Sequence, residues 1–213
     1  MSKAIVFTGG GGPELLPPDL FQQGDYLIAA DSGYDIARQL GYSVHYVIGD
    51  FDSTEFKQEA LALDHQQYSA DKAYSDTYLA IEKALKHVDE GYVLVGGGGY
   101  RFDHLMQTYS LFFHFGAPKL WFTRYESNTL VTSYQLFENV AEGKTVSLYP
   151  ATLKGEATVD ARELKWPLLS FQMSFNSFSL SNSCIGESLE VQVEGDPIFV
   201  SFPVARSGTK VIG

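Results

Sequence analysis

The chain has 213 residues, 45% of them hydrophobic, a net charge of -11 and a single cysteine, Cys184. That length and composition suffice for one large domain or two small ones with a sizeable core. The acidic balance argues against general nucleic-acid binding and gives no sign of a basic membrane surface, and one cysteine excludes an internal disulfide.

The apolar stretch at the start is short and runs into glycines, so no signal peptide is expected. No run approaches the about 18 apolar residues of a membrane helix, and the expected compartment is the cytoplasm. Ala4 to Phe7 reads as a first strand, followed by Thr8 and the glycines Gly9 to Gly12. Glycines there bring backbone N–H groups close to a phosphate, or simply form a flexible turn. The run has no phosphate-loop lysine and is not G-x-G-x-x-G, so both readings stay open. Tyr26 to Ala30 is the second strand; it ends in Asp31-Ser32-Gly33, ahead of a helix predicted over 34–40. Asp31 is either a helix cap or a polar site residue at a strand's carboxyl end.

A third strand, Val44 to Ile48, delivers Gly49-Asp50-Phe51-Asp52-Ser53. Two carboxylates this close repel unless a cation sits between them. Magnesium suits such a place, since it takes one or two carboxylates, waters and phosphate oxygens. The bland alternative is a solvated acidic turn. Strand, helix and strand at this spacing form a βαβ unit and imply a parallel sheet.

A helix is predicted over 54–62 and another over 77–85, the latter with Leu79, Ile81, Ala84 and Leu85 toward the core. Ser75 and Asp76 stand at its start, where they cap it or help to bind an anion. Tyr92 to Val95 is the next strand; it runs into Gly96 to Gly99, Tyr100, Arg101, Phe102, Asp103 and His104. An arginine there forks onto phosphate or pairs locally with Asp103. His104 is expected to cap or pack rather than act as a base. A helix over 105–115 and a last parallel strand over 119–123 follow. Near residue 137 the pattern changes to short strands over 145–149, 169–175, 190–193 and 198–202, which suggests an all-β domain. Cys184 is expected to pack, and the tail from Arg206 to be loosely held.

Four motifs now stand in order: Asp31-Ser32-Gly33, Gly49-Asp50-Phe51-Asp52-Ser53, Lys72-Ala73-Tyr74-Ser75-Asp76 and Gly99-Tyr100-Arg101-Phe102-Asp103-His104. Their order and spacing resemble the thiamin pyrophosphokinase family. Leu164-Lys165-Trp166-Pro167-Leu168 and Ser181-Asn182 extend the resemblance into the C-terminal part. It implies an α/β fold class: an N-terminal parallel-sheet nucleotide-binding domain over 1–137, then a C-terminal all-β sandwich domain over 138–213 that takes thiamin. It also implies transfer of a pyrophosphoryl group from ATP to the thiamin hydroxyl, giving thiamin diphosphate and AMP. A homodimer with thiamin at the subunit interface, and dependence on Mg2+, belong to the same implication.

By this resemblance Asp50, Asp52 and Asp76 hold magnesium and act in catalysis with Arg101 and Asp103. Asp31, Ser32, Gly33, Ser75 and Arg101 line the ATP site, and Trp166, Ser181 and Asn182 contact thiamin. Trp166 has a competing reading as core of the β domain. Two departures stand out. Ala73 sits where the family's K-D-x-T-D carries a carboxylate, with Asp71 close by but projecting differently. Tyr100 replaces a common glycine beside Arg101. Two alternatives remain at this point: a pyrophosphokinase acting on another hydroxymethyl heterocycle such as a pterin, or a thiamin- or nucleotide-binding protein without catalysis, which Ala73 keeps open.

Overall fold

The computed structural model describes residues 2–69, 71–88, 90–99 and 101–204. The expectations for Tyr100 and for the tail from Arg206 lie outside them. The described chain divides into two units, one holding the chain up to Leu111 and residues 118–125, the other residues 112–117 and 126–203.

The first unit follows the hydrophobic pattern closely. Its elements are β1 (Ala4–Thr8), β2 (Tyr26–Ala30), α1 (Gly33–Gln39), β3 (Tyr46–Gly49), α2 (Lys57–Ala60), β4 (His65–Gln67), α3 (Asp76–Leu85), β5 (Tyr92–Gly96), α4 (Phe102–Phe115) and β6 (Leu120–Phe122). The last turn of α4, from Phe112, counts with the second unit. The six strands lie in the order β6-β5-β1-β2-β3-β4 and pair in parallel. Every residue of β1 and β5 is buried, as strands covered on both faces must be. Ile5, Phe7, Ala29, Val47, Val93 and Val95 form one core with Tyr34 and Ala37 of α1. The alternate residues Val6, Ile28, Ile48 and Leu94 are buried on the opposite face. The chain runs from β1 out to β4, then returns to β5 on the other side of β1. Strand order therefore reverses at β1 and β5, the place where open parallel sheets leave a crevice at their carboxyl ends.

Two expectations for this unit change. The helix expected over 54–62 shrinks to Lys57–Ala60 because Asp35 holds the approach to it. Its carboxylate accepts from Thr54 Oγ1 at 2.5 Å and from the Glu55 amide at 3.0 Å, which fixes a non-helical turn. The sequence reading also missed β4. His65-Gln66-Gln67 is exposed and has no apolar alternation, and only its pairing with β3 makes it a strand.

Asp25 ties the first strand down. Its carboxylate accepts from the backbone N–H of Lys3 at 3.1 Å and of Gln22 at 2.9 Å, and meets Lys3 Nζ at 3.1 Å, with 1% of its side chain exposed. Burial alone would raise its pKa; these donors and the ammonium outweigh burial and hold it below the ordinary carboxylate value. The stabilisation is thus complete above the unfolded value of about 3.9 and is lost as pH falls through the lower folded one. Asp25→Ala is expected to lower stability by about 3 kcal/mol and to flatten the acid limb of a pH–stability curve. Denaturant melts of both proteins across the acid range check this.

The second unit contains β7 (Glu126–Val131), β8 (Tyr134–Glu138), β9 (Thr145–Pro150), β10 (Ala157–Ala161), β11 (Leu168–Met173), β12 (Ser179–Ser183), β13 (Ser188–Gly195) and β14 (Ile198–Pro203). They form two antiparallel arrays, β12-β9-β14-β7 and β11-β10-β13-β8. Val131, Val146, Leu148 and Val200 of the first array share one core with Val159, Leu168, Leu189 and Val191 of the second. Cys184 is buried in that core, as expected. Residue 137 lies near the end of β8, and both β7 and β8 pair with strands of this unit. The strand expected over 169–175 stops at Met173, where Ser174 and Ser177 exchange backbone hydrogen bonds and close a turn. Among the described residues no helix is long and apolar enough to cross a membrane.

Candidate active site

The carboxyl ends of β1, β2, β3 and β5 converge on a cleft of about 370 Å³. Thr8 ends β1 and Gly9 and Gly10 follow it, Asp31 and Ser32 follow β2, and Gly97 follows β5; all six line it. Gly96 is obligatory: its φ is +101°, and a Cβ there would collide with the Thr8 carbonyl oxygen. Gly33 is equally constrained, because α1 starts so close to β1 that a Cβ would strike the Phe7 carbonyl.

Phe51 shapes the acidic loop. Its ring is buried in the core on the α1 side, and its φ of +60° is unusual for a bulky residue. With Phe51 turned inward, Asp52 on one side is exposed and Asp50 on the other is partly buried against Lys72, and the Asp52 amide donates to Asp50 Oδ1 at 3.2 Å. Asp31, also in the left-handed region at φ +48°, joins them. Carboxylate oxygens of Asp31, Asp50 and Asp52 all lie within 4.8 Å of one another. Asp31 does not cap α1 through its side chain; its Oδ2 accepts from Ser53 Oγ instead.

Lys72 sits in the loop before α3 and points into this group. Its Nζ is 3.1 Å from Asp50 Oδ2 and 3.2 Å from Asp76 Oδ2, with 14% of the side chain exposed. Asp76 therefore reaches Asp50 through Lys72. Burial raises the Asp76 carboxyl above its ordinary pKa despite Lys72, and burial likewise raises Asp31, with Asp50 and Asp52 adding to it. At Asp50 burial is outweighed by Lys72 and the Asp52 amide, and its pKa falls. Burial would lower the Lys72 ammonium, but its two carboxylates raise it. Asp31 Oδ1 and Asp76 Oδ1 are buried with no hydrogen-bond partner among the described residues. Hard oxygen donors in this number, two of them unsatisfied, fit a magnesium ion.

Ser75 caps α3: its Oγ accepts from the Tyr78 amide at 3.2 Å and from Gln107 Nε2 at 2.6 Å. Thr8 Oγ1 and Thr77 Oγ1 share a hydrogen bond at 2.6 Å, which fixes the helix start over β1. The α3 N-terminus thus faces the cleft with its first amides. Arg101 and Asp103 lie elsewhere. They form an exposed fork, Nε to Oδ1 at 3.1 Å and Nη2 to Oδ2 at 2.6 Å, and neither lines the cleft. The Arg101 guanidinium holds the Asp103 carboxyl below its ordinary range. His104, Gln107 and Thr108 of α4 line the cleft in their place.

The sequence reading did not single out Lys72, His104, Gln107, Thr8 or Thr77 as site residues. Lys72 had a signal, a lone cation four residues before Asp76; Gln107 and Thr108 had a weaker one, as polar residues inside an apolar helix. Ala73 lines the cleft and Asp71 does not; the Asp71 amide is bound to Ser69 Oγ at 3.2 Å.

In the second unit Asn182 is buried, and its amide works on the backbone. It accepts from the Trp166 N–H at 3.1 Å and donates to the Trp166 carbonyl at 2.7 Å, and Ser179 Oγ and the Ser183 amide complete it. This clamp presents the Trp166 ring to solvent, 56% exposed, with Lys165 Nζ 4.8 Å from its centroid. The core reading of Trp166 is thereby set aside. Ser181, at φ +52°, is exposed and its amide donates to Ser147 Oγ at 3.0 Å.

Fold and cleft define an α/β protein with an acidic, lysine-bridged site at the switch point of a parallel sheet. Residues 18–122 match the family model of the thiamin pyrophosphokinase catalytic domain, and residues 133–197 that of the thiamin pyrophosphokinase vitamin B1 binding domain. The chain belongs to the thiamin pyrophosphokinase family. No curated protein matches it in sequence. Among solved structures it is similar to a thiamin pyrophosphokinase family protein from Enterococcus faecalis, with TM-score 0.73 and 19% identity over 96% of this chain and 100% of that one. It is also similar to the thiamine pyrophosphokinase of Bacillus subtilis, with TM-score 0.72 and 20% identity over 96% and 100%. The Geobacillus thermodenitrificans thiamin pyrophosphokinase gives TM-score 0.71 and 23% identity over 98% and 100%. At these identities the likeness is one of fold.

Proposed function

We infer that this chain is an ATP-dependent thiamin pyrophosphokinase, transferring the pyrophosphoryl group of ATP to the thiamin hydroxyl with release of AMP. One observation carries the reading: the match to the catalytic-domain model contains the cleft residues Asp31, Lys72 and Asp76, together with Asp50 and Asp52, which group with Asp31, and Lys72 joins Asp50 to Asp76. The proposed arrangement is a nucleotide-binding parallel-sheet domain followed by a thiamin-binding β-sandwich domain.

The reaction brings a hydroxyl oxygen up to a phosphorus surrounded by negative oxygens, so catalysis is chiefly charge neutralisation and positioning. Asp31, Asp50 and Asp52, with Asp76 beside them, are the residues that would hold magnesium, which when bound neutralises polyphosphate charge. Gly9, Gly10 and Gly97 give phosphate oxygens close access to backbone, and the α3 start held by Ser75 adds amide donors. Lys72 supplies a cation inside the cleft. Arg101 and Asp103 enter as a pair: an exposed ion pair is weakly held, and phosphate offers Arg101 a better partner. Asp103, once released, receives or orients the hydroxyl proton.

On the second unit, Trp166 is the proposed platform for a flat ring of thiamin, with Ser181 beside it and Asn182 holding it in place. The proposed homodimer, with thiamin at the interface, is supported by the exposed apolar side chains Trp166, Leu169, Leu180 and Ile185 on that unit. A reaction that consumes ATP fits a cytoplasmic enzyme. The test is isotopic: with ATP labelled at the β-phosphorus, the label is expected in thiamin diphosphate and not in AMP. Label retained in ADP would mean transfer of a single phosphoryl group and would overturn the reading.

A further inference from the structure

Lys72 meets only part of what surrounds it. Its ammonium satisfies one oxygen each of Asp50 and Asp76, at 3.1 and 3.2 Å. Asp76 Oδ1 and Asp31 Oδ1, both buried, are left without a partner among the described residues. A permanent structural ion pair of this burial is expected to satisfy its acceptors, because an orphaned buried oxygen is destabilising. Here one positive charge stands among four carboxylates, and Lys72 reaches it from a loop on a flexible four-carbon stem. A divalent ion on Asp50 would sit about 2 Å from its oxygens and would repel an ammonium bound to the same carboxylate. The two cations therefore compete for Asp50.

We propose that Lys72 is a placeholder cation, a positioning residue that holds Asp50 and Asp76 together in the metal-free protein and yields them to the divalent ion that enters with the nucleotide. The proposal rests on the reading of this cleft as the magnesium–ATP site. It follows that free magnesium alone binds weakly, because it must displace an ammonium. Magnesium arriving with a triphosphate binds well, because the phosphate oxygens give that ammonium a new partner. Lys72 thus couples metal binding to nucleotide binding.

The test uses Mn2+ alone, without nucleotide, titrated into the purified protein and followed by electron paramagnetic resonance. Lys72→Gln is expected to bind Mn2+ at least about tenfold more tightly than the parent, and the double variant with Asp50→Asn is expected to lose that gain. Equal or weaker binding by Lys72→Gln would overturn the proposal and would mark Lys72 as a structural tie or a metal-independent phosphate ligand. A second measurement needs no variant. Acetylation of Lys72 in the parent protein, read by peptide mass spectrometry, is expected to speed up when Mg2+ is raised to saturation without nucleotide; an unchanged or slower rate contradicts the proposal. Neither readout depends on turnover, so a protein that couples metal and nucleotide this way yet forms no thiamin diphosphate would separate the two conclusions.

Discussion

Asp50→Asn is expected to reduce pyrophosphoryl transfer by about 10³-fold while leaving the fold intact. Asparagine keeps an oxygen for the Asp52 amide, which Asp50 Oδ1 now accepts at 3.2 Å. It removes the charge that ties Lys72 to the acidic loop, but Asp76 remains to hold the ammonium at 3.2 Å. It also thins a crowded set of carboxylates, which offsets the lost ion pair. The change in stability should therefore stay within about 1 kcal/mol. The reaction loses a hard anionic oxygen at the centre of the Asp31, Asp50 and Asp52 group, and an amide oxygen is a poor substitute toward magnesium. Steady-state rates at saturating thiamin, alongside a thermal melt, measure both effects. Turnover within a few-fold of the parent would remove Asp50 from the reacting centre.

Trp166→Ala is expected to raise the thiamin KM by about tenfold, the scale of one lost aromatic stacking contact, and to leave the ATP KM unchanged. Because the ring is exposed, the melting temperature should hardly move. Asn182→Ala provides the contrast. That side chain is buried and makes both hydrogen bonds to the Trp166 backbone, so its loss should lower stability by about 2–3 kcal/mol and weaken thiamin binding through the misplaced ring. A melting drop for Trp166→Ala with unchanged thiamin kinetics would mean that the exposed ring serves stability and not thiamin binding.

The sequence announced the acidic loop because its geometry is local. Gly49 ends a buried strand, Phe51 turns inward, and carboxylates two residues apart emerge together. Asp31 was legible for a similar reason, as the polar end of an apolar strand. Relations between distant residues were not legible. Lys72 and Asp50 are 22 positions apart, and nothing in either motif says that one ammonium bridges Asp50 and Asp76. The Arg101–Asp103 ion pair, by contrast, was legible as one of two readings, because two residues of separation let the side chains close on each other in solvent. Asn182 read as a thiamin contact, because the sequence cannot reveal that its amide spans a backbone 16 positions away. Among the strands, β4, β7, β8, β10 and β12 escaped; for β4 and β12 the reason is that polar edge strands have no alternation to read.

The most direct measurement of the central claim is release of AMP from ATP by the purified protein, with thiamin present and with thiamin left out. AMP is expected only when thiamin is present, in step with thiamin diphosphate, and a hydroxymethyl pterin should not replace the vitamin. AMP formed equally without thiamin, or driven by the pterin alone, would contradict the account.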